Sequence, residues 1–404
     1  MDALTTPLPK AWQRVRLGTY KYRRGSFPQP YGNPQWYSDN GMPFVQVYDV
    51  GENFKLTQKT KQKISKIAQP MSVFVPKNSV IITLQGTIGR VALTQYDCYC
   101  DRTILIFDNN TLNDVNKYFF VLSLFTKFEE EKRKADGSII KTITKQTLKD
   151  FEILLPPLNE QIAIANILSA LDRYLYSLDA LILKKESVKK ALSFELLSQR
   201  KRLKGFNQAW QRVRLGTYKY RRGSFPQPYG NPQWYSDNGM PFVQVYDVGE
   251  NFKLTQKTKQ KISKIAQPMS VFVPKNSVII TLQGTIGRVA LTQYDCYCDR
   301  TILIFDNNTL NDVNKYFFVL SLFTKFEEEK RKADGSIIKT ITKQTLKDFE
   351  ILLPPLNEQI AIANVLSALD SEIISLKNKK RQFDNIKKAL NHDLMSAKIR
   401  VLKN

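Results

Sequence analysis

Short hydrophobic runs separated by turn-forming residues fill the first third of the chain. Residues 72–75, 79–84 and 103–107 are rich in β-branched and aromatic side chains, and Pro, Asn and Asp cluster at residues 76–78 and 108–110. Runs of this kind predict strands. From Asn113 to Lys134 the apolar residues recur at helical spacing, which predicts a helix packed on the strands. The pattern therefore predicts a mixed, mostly β domain.

A long helix is predicted after Leu155-Pro156-Pro157. Pro157 suits an early helical position, Asn159 lies near the cap, and residues 201–205 provide a basic end followed by glycine. From residue 159 to residue 203 the helix has about 45 residues, or roughly 65 to 70 Å. Its apolar residues step by four and three, as in a coiled-coil seam: Ile164, Leu168, Leu171, Leu175, Leu178 and Ile182.

The chain repeats itself. Residues 11–166 recur without change as residues 209–364, after which the copies differ in most side chains but keep a helical pattern. The second seam consists of Ile362, Leu366, Leu369, Ile373, Leu376 and Phe383. We interpret residues 1–155 and 206–353 as two equal modules, and residues 156–205 and 354–404 as two long helices. The simplest origin is replacement of one block by a copy of the other, whether natural or engineered.

A seam of this length must be buried against a partner, and the matching helix of the other copy is the most economical one. If the two helices pair antiparallel, the modules lie at opposite ends of a pseudo-twofold dumbbell. The alternative is that each helix packs only on its own module. The expected fold class is α+β, with two mixed β-rich domains alternating with two long helices that form an antiparallel coiled coil.

Charge indicates a polyanionic partner. The 404 residues carry a formal net charge of +24, which favours nucleic acid first and an anionic membrane second, with a merely solvated basic surface as the alternative. We find no run of 18 or more uncharged apolar residues and no secretory signal, so we expect a cytoplasmic protein and no membrane partner. Cys98, Cys100, Cys296 and Cys298 are expected to be small buried side chains, with a shared four-thiolate zinc site as the alternative.

Three loops in each module have the composition of a DNA-facing surface, because phosphate contacts need Lys, Arg and hydroxyls, and base contacts need forked or amide side chains. They are a basic strand and loop near residues 20–33, the turn at residues 85–90, whose Gln85 and Arg90 we expect to point outward, and the region of residues 132–142. Solvated loops and a plain turn are the alternatives. The candidates in the first module are Lys21, Arg23, Arg24, Gln29, Tyr31, Gln85, Arg90, Lys134, Ser138, Lys141 and Thr142. Those in the second are Lys219, Arg221, Arg222, Gln227, Tyr229, Gln283, Arg288, Lys332, Ser336, Lys339 and Thr340.

Catalysis has little support in the sequence. A nuclease site can be drawn from Asp101 with Glu130 and Glu131, but adjacent glutamates on a helix point in different directions and are typical of a solvated face. Glycine-rich nucleotide loops are missing. His392, the sole histidine, has no counterpart in the first copy and is expected on the surface. We therefore predict no catalytic residues and no metal site.

Six segments in family order resemble the specificity subunit of type I restriction-modification systems, and the resemblance spans nearly the whole chain. They are WQRVRLG (residues 12–18), GSFPQPY (25–31), MPFVQV (42–47), QGTIGR (85–90), GSIIKTI (137–143) and LPPLNEQ (155–161). The resemblance implies a non-catalytic subunit with two target-recognition domains on double-stranded DNA, separated by helices that act as a ruler. It also implies two adenine-methylating modification subunits that use S-adenosylmethionine, restriction subunits that consume ATP, and no cofactor on this chain.

One feature departs from the family pattern, since the two domains of a specificity subunit normally differ. Two identical readers related by a pseudo-twofold axis would read the same bases on opposite strands, which predicts an inverted repeat with an unspecified centre. The alternative function is a coiled-coil scaffold that binds nucleic acid without sequence specificity.

Overall fold

The computed structural model describes residues 9–51, 53–134, 145–249, 251–332 and 343–401. The chain divides into two compact units. Unit 1 holds the chain up to Leu181 together with the chain from Lys377 onward, and unit 2 holds Ile182–Leu376. Each unit therefore contains one repeated block and parts of both long helices.

Unit 1 contains module 1, which begins and ends with a strand. Its strands are β1 Gln13–Arg16, β2 Tyr22–Arg24, β3 Tyr37–Val45, β4 Gln62–Ile64, β5 Val73–Val75, β6 Val80–Thr83, β7 Val91–Leu93, β8 Cys98–Cys100, β9 Ile104–Phe107 and β10 Glu152–Leu155. Its helices are α1 Lys117–Lys134 and α2 Lys145–Asp150, and the long helix α3 Leu158–Leu197 follows.

Unit 2 contains module 2, which repeats the same order. Its strands are β11 Gln211–Arg214, β12 Tyr220–Arg222, β13 Tyr235–Val243, β14 Gln260–Ile262, β15 Val271–Val273, β16 Val278–Thr281, β17 Val289–Leu291, β18 Cys296–Cys298, β19 Ile302–Phe305 and β20 Glu350–Leu353. Its helices are α4 Lys315–Lys332 and α5 Lys343–Asp348, and the second long helix is α6 Leu356–Met395.

Two four-stranded sheets and a two-stranded ribbon build each module. In module 1 the sheet orders are β2-β9-β6-β7 and β4-β3-β8-β5, and the pairing of β3 with β8 is parallel while the others are antiparallel. The ribbon pairs β1 with β10, so the module closes where α3 begins. The prediction of a mixed, mostly β domain with a packed helix is confirmed.

The core of module 1 lies on both sides of the first sheet. Phe107 of β9 and Phe119 and Phe120 of α1 are fully buried on one side. On the other side β6 and β9 pack on the second sheet, where Cys98 and Cys100 are fully buried, as expected from their alternation with Tyr99. Burial raises the pKa of the Cys100 thiol well above its usual value, so this cysteine is an inert core residue.

The predicted seam is buried at five of its six positions in α3 and at three of its six positions in α6, where Leu369, Leu376 and Phe383 are half-buried. In α3, Ile164, Leu168 and Leu178 are at most 5% exposed, and in α6, Ile362 and Leu366 are at most 1% exposed. One stretch of α6 is apolar enough to meet a length-and-composition test for a membrane span. Its Ile362 and Leu366 belong to the core of unit 2.

Helix α3 ends earlier than the sequence predicts, at Leu197 after 40 residues. Gln199 adopts a left-handed conformation with φ of +61°, and the Lys201 amide donates to the Glu195 carbonyl at 3.1 Å. Gly205, which we expected to end the helix, also has a positive φ but lies beyond this turn. A glutamine rarely takes this conformation, so its sequence position carried no helix-end signal.

The two long helices pair antiparallel inside each unit, which confirms the expected coiled-coil pairing there. In unit 1, Asp179 of α3 meets Lys380 of α6 at 2.7 Å, and Asp172, further toward the start of α3, meets Lys387, further toward the end of α6. Unit 2 has the equivalent contact between Asp370 of α6 and Lys189 of α3. Packing of each helix only on its own module is excluded by these contacts.

A tyrosine ties each module to its helix pair. The Tyr118 hydroxyl of α1 donates to the Asp172 carboxylate, whose other oxygen accepts from Lys387. The Lys387 ammonium also lies 5.3 Å from the centre of the Phe54 ring. Unit 2 has the same set of contacts. There Asp370 accepts from Tyr316 and from Lys189, and the Lys189 ammonium lies over the ring of Phe252.

Candidate nucleic-acid interface

The loop that follows β2, residues 25–33, packs on residues 100–102, and we call these two segments together the aromatic platform. Gly25 lies against the backbone of residues 100 and 101, where a Cβ would overlap the carbonyl oxygens of Cys100 and Asp101. Phe27 is buried on Phe44 with ring centres 4.4 Å apart. These contacts fix both the start and the middle of the loop, and they leave Gln29 exposed at its tip.

Tyr31 locks this loop through a buried carboxylate. Its hydroxyl donates to Asp101, and the equivalent contact in module 2, from Tyr229 to Asp299, is 2.6 Å long. Burial and then the hydrogen bond to Asp101 raise the pKa of Tyr31, so the phenol keeps its proton. The Arg102 guanidinium lies 5.4 Å from the centre of the Tyr31 ring. Tyr31 is therefore a support of the surface, with Arg102 exposed above it.

The carboxylates considered for a nuclease site have structural partners. Asp101 also accepts from the Thr103 amide and hydroxyl at 2.8 and 2.6 Å. Glu130 and Glu131 form ion pairs with Lys127 and Lys134 of the same helix. Among the residues that the structure describes, no three His, Cys, Asp or Glu side chains are grouped to hold a metal ion.

The turn at residues 85–90 connects β6 to β7, as predicted. Gly86 and Gly89 have φ of +72° and +77°, so both positions need glycine. Gln85 is exposed, whereas Arg90 is half-buried and donates to the Val50 carbonyl at 3.1 Å. Arg288 repeats this contact with Val248 at 3.2 Å. The structure thus places the Arg90 guanidinium against the backbone beside the turn, with less of it facing outward than we expected.

The third predicted region is described only in part. Lys134, at the end of α1, is exposed and pairs with Glu130 at 2.6 Å and Glu131 at 3.2 Å. Lys332 makes the equivalent pairs in module 2. The remaining candidates lie outside the described residues: Ser138, Lys141, Thr142, Ser336, Lys339 and Thr340.

The structure brings two of the predicted loops together around a segment that sequence reasoning missed. This segment, the 46–49 turn, follows β3. A Cβ on Gly86 would contact the Val47 side chain at 3.4 Å, which places the 85–90 turn on one side. The Asp101 amide donates to the Val45 carbonyl at 3.0 Å, which places the Asp101 end of the aromatic platform next to the start of this turn. The sequence signal that we missed is the alternation of Lys59, Lys61 and Lys63 shortly after this turn.

Strand β2 carries the basic candidates Arg23 and Arg24, and Lys21 immediately precedes it. The Lys21 amide donates to the Thr111 hydroxyl at 3.3 Å, at the end of β2 opposite Gly25. The Arg23 guanidinium donates to the Phe74 carbonyl at 3.0 Å, and Arg24 is exposed. Lys219, Arg221 and Arg222 have the same exposed positions in module 2, where Arg221 donates to the Phe272 carbonyl at 3.0 Å.

Comparison with known proteins gives one consistent result. The family model described as the type I restriction modification DNA specificity domain matches residues 30–186 and 226–383. A Methanocaldococcus jannaschii protein, the type I restriction enzyme MjaVIII specificity subunit, is 23% identical over 98% of this chain and 94% of its own length.

Solved structures share the fold over nearly the whole chain. The S subunit of a type I restriction-modification system from M. genitalium aligns with a TM-score of 0.61 at 16% identity, covering 97% of this chain and 98% of that one. A chain from a structural study of complex assembly and conformational transition in the type I R-M system aligns with a TM-score of 0.60 at 18% identity, covering 96% and 99%.

Proposed function

Because this chain belongs to the type I restriction-modification DNA specificity family, we propose that its two modules read the same half-site on opposite strands of double-stranded DNA. As a specificity subunit, it is the non-catalytic component of such a system. The proposed target is an inverted repeat with an unspecified centre. In this role the antiparallel helices hold the two readers at a fixed separation.

The observation that carries this proposal is the identity of residues 11–166 and 209–364. The identical sequences have the same local geometry. The contact of Tyr31 with Asp101 recurs as Tyr229 with Asp299. The contact of Lys61 with Tyr48 recurs as Lys259 with Tyr246. Readers with the same surface select the same bases. Antiparallel pairing of the helices within each unit supports opposite orientations on the duplex.

The proposal extends to the partners that this family implies. Two modification subunits methylate adenine in the two half-sites and carry S-adenosylmethionine, and restriction subunits carry ATP. This chain supplies the DNA contacts and the docking surfaces, and the complex acts in the cytoplasm. The net charge of +24 supports a role on DNA, since displacement of counterions by Lys and Arg drives association with phosphates.

Methylome sequencing tests the proposal. The full chain is expressed with its modification subunit in a host that lacks other adenine methyltransferases, and the modified motif is read from the genome. We expect a two-part motif whose halves are reverse complements. An asymmetric two-part motif would rule out identical reading by the two modules, and methylation without any motif would favour the non-specific scaffold.

A further inference from the structure

Each module exposes an aromatic ring beside a lysine in the turn that follows β3 or β13. Tyr48 is 48% exposed, and the Lys61 ammonium lies 5.1 Å from the centre of its ring. In module 2, Tyr246 is 48% exposed and Lys259 lies at the same distance. The Tyr48 hydroxyl donates to the side-chain oxygen of Gln46, so an amide, an aromatic ring and a cation lie next to one another.

A buried carboxylate assembles these three residues. Asp49 is 2% exposed and accepts from the Gln46 amide at 2.9 Å and from the Lys61 amide at 3.0 Å. It also accepts from the Thr57 hydroxyl at 3.4 Å. Because one carboxylate binds the backbone on both sides, the 46–49 turn and residue 61 are held together before any ligand arrives. A backbone fixed in this way loses little conformational entropy on binding.

The neighbours of this cluster are the loops that the sequence predicted to face DNA. The 85–90 turn contacts Val47, and Arg90 holds the Val50 carbonyl. Burial and then the charge of Asp49 raise the pKa of Tyr48, so its hydroxyl stays protonated and can donate. Gln85 of the 85–90 turn is exposed, and the Asp101 amide of the platform donates to the Val45 carbonyl at 3.0 Å, just before the 46–49 turn.

We propose that Gln46, Tyr48 and Lys61 form the specificity-determining centre of module 1, and that Gln244, Tyr246 and Lys259 form that of module 2. The inference deepens the proposed function and rests on it. The glutamine amide has the donor and acceptor pair that matches adenine in the major groove, and the tyrosine ring offers an apolar face to a thymine methyl group. The lysine, a flexible point charge, is matched to a phosphate.

Binding measurements on the full chain test this assignment. The probes are a fluorescent duplex carrying the motif found by methylome sequencing and a scrambled duplex of the same length and composition. Paired substitutions change both modules at once: Gln46→Ala with Gln244→Ala, Tyr48→Ala with Tyr246→Ala, and Lys61→Ala with Lys259→Ala. Phe74→Ala with Phe272→Ala is the matched control, because these exposed aromatic rings lie on the edge strands β5 and β15, two strands away from β3 and β13, which lead into the turn.

The glutamine pair is expected to lose about 5- to 150-fold in affinity for the motif per half-site, with no change on scrambled DNA. The tyrosine pair should also lose discrimination, and Tyr48→Phe with Tyr246→Phe should restore the part that depends on the ring. The lysine pair should weaken both probes equally and reduce the slope of log affinity against log salt by about 2. The phenylalanine control should bind both probes as the wild type does.

Two results would overturn the assignment, and they are distinguishable. If the wild type discriminates between the probes and the glutamine and tyrosine pairs discriminate equally well, reading lies elsewhere in the module while the proposed function stands. If the wild type itself does not discriminate, the proposed function fails and this inference fails with it. Far-ultraviolet circular dichroism and urea unfolding of each variant exclude loss of the fold as the cause of lost discrimination.

Discussion

Glu160 is a buried side chain whose partners come from distant parts of the sequence. Only 1% of it is exposed, and its carboxylate accepts from the Trp12 indole at 3.1 Å and from the Arg400 guanidinium at 3.3 and 3.1 Å. It therefore joins the start of module 1, the start of α3 and the segment after α6. Glu358, Trp210 and Arg202 do the same in unit 2.

Removing Arg400 should be costly because it leaves a buried carboxylate without its ionic partner. We expect Arg400→Ala to lower the free energy of unfolding of unit 1 by about 3 kcal/mol in urea titrations. The matched control is Arg16→Ala, which removes an exposed pair with Glu152 and should cost less than about 1 kcal/mol. Adding Glu160→Gln to Arg400→Ala should recover part of the loss. Equal effects of Arg16→Ala and Arg400→Ala would contradict a structural role for the buried pair.

At the scale of single residues, the sequence predicts which side chains are candidates for DNA contacts better than it predicts the contacts that hold them in place. It directed attention to Gln85 and Tyr31, and the structure places Gly86 close to the Val47 side chain and Asp101, which binds Tyr31, next to Val45. It missed Tyr48 because the position of Lys61 beside that ring depends on Asp49 binding the Lys61 amide across the loop. It also could not reveal that Arg90 binds the Val50 carbonyl, a contact that spans 40 residues and exists only after folding. That these loops contact DNA remains a prediction.

The long helices use different chemistry for equivalent contacts. In unit 2, Lys185 of α3 meets Glu372 of α6 at 2.8 Å. The equivalent positions in unit 1 are occupied by Phe383 and Tyr174, whose rings lie 4.7 Å apart. Each pair is matched only between α3 and α6, because pairing α6 with another α6 would place Glu372 against Phe383. The helices thus encode their choice of partner in the diverged part of the repeat.

Exchanging these side chains tests the matching. Lys185→Phe alone places a ring against Glu372 and should destabilise unit 2 by about 1 kcal/mol, since both positions are partly exposed. The double variant with Glu372→Tyr recreates the aromatic pair of unit 1 and should recover most of the loss. A double-mutant cycle in urea gives the coupling energy. Simple additivity of the two substitutions would show that the positions do not act as a pair.

Elements were predicted well where their signal is local. Most of the α3 seam and half of the α6 seam are buried, because a repeated apolar spacing specifies which face is covered. The end of α3 was predicted several residues too late, because Gln199 takes a conformation usually reserved for glycine. The parallel pairing of β3 with β8 was not foreseen, since these strands are separated by four others along the chain.

The whole molecule offers a comparison between two copies of one reader. If the assignment of the 46–49 turn holds, Gln46→Ala alone should relax one base position in one half-site only and make the methylated motif asymmetric. Gln244→Ala alone should give the same motif read from the other strand, because the modules are identical. Methylome sequencing of the two single variants compares them directly, and each serves as the control for the other. Different motifs from the two variants would contradict equal reading by the modules.

The border of the repeat lies inside the helices. Identity stops after Asn166, beyond Trp12, Glu160 and the first turns of α3, while Arg400 belongs to the segment outside the identical blocks. A gene-conversion tract with these limits transfers a whole recognition module together with the contact between Trp12 and Glu160 that joins the module to its long helix. The recipient retains the arginine that completes the attachment, so a lineage can acquire a new DNA specificity in one genetic event without altering its remaining helix sequence.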